Sequence, residues 1–81
     1  MKIIKDKDEL FEDAARLIVN TQMGSTSLLQ RRMKLGYNRA GRIMEQLEEA
    51  GIVSAFLSVK PRDVFVKTIE DLELLLKNIQ K

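Results

Sequence analysis

Residues 27–53 constrain this chain more than any other stretch, because they read as two helices joined by one tight turn at Gly36. The second of these, over residues 38–50, separates two faces. At 100° per residue, Ala40, Ile43, Met44 and Leu47 gather on one side, and Asn38, Arg42, Glu45 and Glu49 on the other. An apolar stripe therefore backs a stripe of hydrogen-bonding side chains, which is the pattern of a helix-turn-helix. Arginine can donate twice to a guanine edge, asparagine can both donate to and accept from adenine, and glutamate can accept from cytosine. Asn38, Arg42 and Glu45 are thus candidate base-reading residues. The same spacing is equally that of an ordinary surface pair between Arg42 and Glu45, worth a few tenths of a kcal/mol.

The 81 residues allow one domain at most, and a net charge of only +2 says little until it is mapped along the chain. Asp13 and Glu45 bracket a stretch without an acidic residue, and that stretch holds Arg16, Arg31, Arg32, Lys34, Arg39 and Arg42. Acids gather in residues 6–13, at Glu45, Glu48 and Glu49, and at Glu70, Asp71 and Glu73. This segregation predicts one basic face, suited to phosphate contact or simply to solvation.

The chain has neither cysteine nor histidine, which removes disulfides, thiolate metal sites and the commonest general base. No acidic pair is embedded in apolar sequence, and no glycine-rich phosphate loop occurs. The expectation is a protein that is not an enzyme and needs no cofactor or metal. No apolar run has membrane-spanning length and no signal peptide is visible, so a cytoplasmic, nucleoid-associated location is expected.

A first helix is predicted from Asp6 or Asp8 to about Gln22, with Asp6 and Glu9 as a capping box and Leu10, Phe11, Ala14, Leu17 and Ile18 facing inward. Ser25 and Thr26 read as a short strand, and Ser27 with Gln30 as the capping box of the next helix. Gly51 is placed to end the 38–50 helix in a left-handed cap. Beyond it, residues 52–57 are apolar and partly β-branched, and residues 62–67 alternate. Two strands with a short turn predict a β-hairpin wing, where Lys60 and Arg62 flank Pro61 and could meet the nucleic-acid backbone or merely solvate an edge.

Thr68 with Asp71 caps a last helix in which Ile69, Leu72, Leu76 and Ile79 repeat at helical spacing, widened by Leu74 and Leu75. So many aliphatics exceed the needs of one packing face and suggest a homodimer through Ile69, Leu72, Leu76 and Ile79. The expected fold class is α+β and mostly helical: a winged helix-turn-helix with a two-stranded β-hairpin wing and an extra C-terminal helix. Residues 1–67 would form the DNA-binding domain, and residues 68–81 a helix for packing or dimerisation.

From Glu9 to about Val66 the chain resembles the gamma domain of the FtsK and SpoIIIE DNA translocases. The match is carried by residues 15–19, by Leu-Gln-Arg-Arg at 29–32, by Gly-Tyr-Asn-Arg-Ala at 36–40, by Glu-Glu-Ala-Gly-Ile-Val at 48–53 and by Lys-Pro-Arg-Asp-Val at 60–64. The resemblance implies a winged helix that recognises short, asymmetric, G-rich duplex sites, with the positions matching Asn38, Arg42 and Glu45 reading bases. It also implies contact with a Xer recombinase. Two departures stand out: Gly41 where the family has alanine or another small residue, and Ser-Ala-Phe-Leu-Ser-Val at 54–59 where the wing usually reads Gly-Pro-x-x-Gly-Ser. An apolar wing carrying Phe56, Leu57 and Val59 is expected to pack under the last helix. Without a preceding motor, the chain reads as a free-standing regulator or site reader. Double-stranded DNA is the expected partner, with Arg31, Arg32, Lys34, Arg39, Lys60 and Arg62 on phosphates. The alternative is a module that binds a recombinase, a translocase or itself.

Overall fold

The computed structural model describes residues 2–3, 6–56 and 60–80, and consists mainly of four helices around one apolar core. Helix α1 (Phe11–Thr21) buries Phe11, Ala14, Ala15, Ile18 and Val19, the stripe set by three- and four-residue spacing. It starts later than a capping box of Asp6 and Glu9 would place it. Asp6 has a left-handed backbone, φ 55°, which cannot open a helix, and Asp8 instead accepts the Leu10 N–H at 2.8 Å in a turn before Phe11. At the other end Gln22, φ 55°, donates its side-chain amide to the carbonyls of Val19 and Val66, tying the helix terminus to the segment just before the last helix.

Helix α2 (Thr26–Met33) is capped by Ser25, whose hydroxyl accepts the Leu28 N–H at 3.3 Å. Ser27 therefore lies inside the helix and is not its cap, and the strand-like contact falls one residue earlier, where Gly24 bridges Arg62. The turn into α3 (Tyr37–Glu49) takes its left-handed step at Lys34, φ 59°, while Gly36 is extended and caps α3. Helix α3 packs on α2 and α1 through Ala40, Ile43, Met44 and Leu47, all fully buried. Gly51, φ 82°, closes it as expected. Its N–H reaches the Glu48 carbonyl at 2.9 Å and that of Ile52 the Leu47 carbonyl at 2.9 Å, the paired bonds of a Schellman motif.

Among the described residues the expected hairpin is reduced to isolated pairing. Val53 and Val64 form an antiparallel bridge flanked by Ser54 N–H to Asp63 carbonyl (2.9 Å) and Phe65 N–H to Ile52 carbonyl (2.8 Å). Arg62 then turns to Gly24, and Pro61 has no N–H with which to continue the ladder. Residues 57–59, with Leu57 and Val59, lie outside the described residues. Phe56 does not pack under the last helix, being 68% exposed.

Helix α4 (Ile69–Asn78) is capped by the Thr68 hydroxyl, which accepts the Asp71 N–H at 3.1 Å, and it packs against α1. Strand β2 (Ile79–Gln80) follows and pairs in parallel with β1 (Lys2–Ile3), so the two ends of the chain meet. This corrects the reading of the apolar surplus. Leu72 and Ile79 are core residues of this chain, and Ile69, Leu75 and Leu76 are packed against the same core. A dimer seam through Ile69, Leu72, Leu76 and Ile79 would have to unpack it.

Candidate nucleic-acid interface

Helix α3 turns Asn38, Arg42 and Glu45 to the outside, and all three are exposed. They line one open concavity of about 540 Å³, whose walls include Tyr37, Gly41 and Phe56. The surface pair between Arg42 and Glu45 is not formed: the ion pairs among the described residues involve Lys7, Arg16, Arg39, Lys60 and Arg62 as cations. The three side chains therefore stand with their hydrogen-bonding groups toward solvent. That follows from the helical period, since the opposite side of α3 is the buried stripe.

The flanks of α3 hold its supports. Arg39 and Gln46 fall within about 20° of each other in helical projection, at the edge of the core. Arg39 forks onto Asp8, with Nε to Oδ2 and Nη2 to Oδ1 both 3.0 Å. The guanidinium hydrogen bond holds the Asp8 carboxyl below the usual carboxylate range, against the opposing effect of burial. Gln46, nearly buried, donates to the Asp6 carbonyl and accepts the Asp8 N–H, each at 3.0 Å. Together these two side chains strap residues 6–8 across α3. On the other flank Glu48 accepts from Arg62 Nη1 at 2.9 Å, and the same nitrogen donates to the Ser54 carbonyl at 3.2 Å.

The basic candidates thus separate. Arg31, Arg32 and Lys34 are exposed at the end of α2 and in the turn, and enter no ion pair among the described residues. Lys60 is exposed, 4.0 Å from Asp63. The Arg39 and Arg62 head groups are engaged within the chain, and the Arg62 side chain is only 9% exposed. Arg16 leaves the basic face altogether: its Nε meets Glu73 at 2.8 Å and its other nitrogens approach Glu12 and Asp13, joining α1 to α4.

Sequence reasoning did not single out Gln46 or Tyr37. Gln46 had a signal, a polar side chain bordering the apolar stripe. Tyr37 had its place in the Gly-Tyr-Asn-Arg-Ala block, at the start of the helix, and is 69% exposed beside the triad. Among the described residues there is no group of three or more acids that could hold a metal ion, and no helix is long and apolar enough to cross a membrane.

A helix held on both flanks, apolar behind and polar in front, defines a small helical module built to present one face. The chain belongs to the FtsK gamma domain family, whose model matches residues 5–67. The DNA translocase FtsK of Chlorobaculum tepidum is 59% identical over 73 residues, covering 90% of this chain and 9% of that protein. The FtsK proteins of Clostridium acetobutylicum and Clostridium tetani are 54% and 52% identical, covering 75% and 76% of this chain and 8% of theirs. The chain thus spans less than a tenth of these relatives, and the matched model ends at Lys67, before α4.

Proposed function

We propose that this domain binds double-stranded DNA sequence-specifically, with α3 in the major groove and Asn38, Arg42 and Glu45 reading base edges. The observation that carries this reading is the exposed triad, in which a bidentate donor, an amide and a carboxylate share one helical face with none of them paired to a described residue. Arg31, Arg32 and Lys34 would hold phosphates beside the helix, joined by Lys60. Arg39 and Arg62 act as positioning residues, one for the strap and one for the segment before Val64. In this reading the segment that carries the Val53–Val64 pairing lies along the duplex as a wing would. Kinship with DNA translocases supports duplex DNA as the ligand, and a reader of oriented sites is the role such a domain would fill.

Selection from a random duplex library, followed by titration of the selected site, tests this. Arg42→Ala is expected to weaken the selected site by about 1–3 kcal/mol and to relax preference at one position. Unchanged affinity and preference would refute the base-reading assignment.

A second reading, contact with a partner protein such as a recombinase or a translocase, is favoured by one observation. Met23 and Phe65, 47% and 58% exposed, line a separate concavity of about 490 Å³ together with Gln22, Pro61 and Lys67. Binding to random duplex discriminates the two: steep salt dependence supports DNA, and no binding at low salt supports the partner protein.

A further inference from the structure

The concavity in front of α3 has an aromatic wall that the triad does not use. Phe56 and Tyr37 are 68% and 69% exposed and face the same space as Asn38, Arg42 and Glu45. Two exposed aromatic rings lining one concavity beside hydrogen-bonding groups offer an apolar wall on which an apolar group of a ligand can be buried. Phe56 is also braced. The Arg62 guanidinium lies 5.8 Å from its ring centroid, and that guanidinium is anchored in turn by the Glu48 carboxylate and the Ser54 carbonyl. In helical projection Gly41 falls between Tyr37 and Glu45, and apart from its own neighbours along the helix no atom lies within 4 Å of where its Cβ would be. The helix surface there is bare, and a bulky group can approach its backbone.

The triad supplies hydrogen-bond chemistry for guanine, adenine and cytosine. Thymine presents an O4 acceptor and a C5-methyl in the major groove, and the methyl is the mark that an apolar surface recognises. We propose that Phe56 is a specificity-determining residue that packs on the C5-methyl of a thymine adjoining the base pairs read by Asn38, Arg42 and Glu45. This rests on the reading of α3 as the major-groove helix. The occupant is apolar, sits beside paired bases and belongs to the same duplex, because the wall that would hold it is continuous with the triad.

Replacing thymine by uracil removes that methyl and nothing else. In the selected duplex, thymine-to-uracil exchange at one position is expected to weaken binding by the intact chain about fourfold, the worth of one buried methyl group. Phe56→Ala should weaken the thymine duplex by at least as much and become indifferent to the exchange, while Phe56→Leu should keep part of the discrimination. Phe56 is outside the core, so thermal unfolding of both variants should match that of the parent. Indifference of the parent to uracil at every position, with sequence preference otherwise intact, overturns the Phe56 assignment alone. Equal weakening of selected and random duplexes by Phe56→Ala does the same, since it would place the ring on the sugar-phosphate backbone. Absence of any sequence preference in the parent overturns the α3 reading and this inference with it.

Discussion

Asp8 couples the N-terminal segment to α3 through both carboxylate oxygens, and Glu73 couples α4 to α1 through Arg16 in the same way. Hydrogen bonds from Arg39 and Arg16 hold the two carboxyls below their ordinary pKa. A carboxylate whose pKa is depressed by folding stabilises the native state above its unfolded pKa, and that stabilisation is lost as pH falls through the folded value. The urea midpoint should therefore fall steadily below about pH 4, and Asp8→Asn and Glu73→Gln should each flatten that slope while lowering stability at neutral pH. Arg32 and Arg39 should behave differently from each other. Arg32→Ala is expected to leave the melting temperature unchanged and to reduce the salt slope of duplex binding by about 0.9. Arg39→Ala should lower the melting temperature, because it releases the strap. That contrast was not legible in the sequence. The partners of Arg39 and Arg62 lie 31 and 14 residues away, so no local pattern marks either head group as engaged.

Helix α3 and its ends were legible because helical period and capping are local. The stripe of Ala40, Ile43, Met44 and Leu47 and the Gly51 cap needed only neighbours within one or two turns. The left-handed step before α3 fell on Lys34, since Gly36 was needed in an extended conformation at the cap. The alternation in residues 62–67 correctly divided buried Val64 and Val66 from exposed Phe65 and Lys67, but it could not say which backbone would pair with it. Pairing went partly to Gly24, where a Cβ would overlap the Arg62 carbonyl. The same substitution should thus have opposite effects at two glycines. Gly24→Ala is expected to destabilise by about 1–3 kcal/mol through overpacking against backbone. Gly41→Ala, in open space within a helix, should stabilise by up to about 1 kcal/mol. Thermal unfolding of the two variants checks both signs.

Across the molecule, extents of 30 × 24 × 20 Å limit what one copy can contact. At about 3.4 Å per base pair the longest axis covers roughly nine pairs, and footprinting of a singly bound duplex should protect no more than about that length on the face that α3 enters. The C-terminal addition contributes to the core more than to any outer surface. Leu72→Ala is therefore expected to cost about 2–5 kcal/mol in chemical unfolding, as a buried leucine does, and the loss should not depend on protein concentration. The existence of the helices, the Gly51 and Thr68 caps, the polar face of α3 and the family resemblance come from residues close together along the chain, and the amino-acid order alone was enough to specify them. The starts of α1 and α2, by contrast, fall elsewhere than local capping predicts, because distant contacts decided them. Which arginines point outward, where the apolar excess of α4 goes and which backbone the Val53 and Arg62 segments pair with depend on groups brought together from distant positions. Folding selects those partners by packing and by competition for the same charges, and neither is encoded in a local repeat.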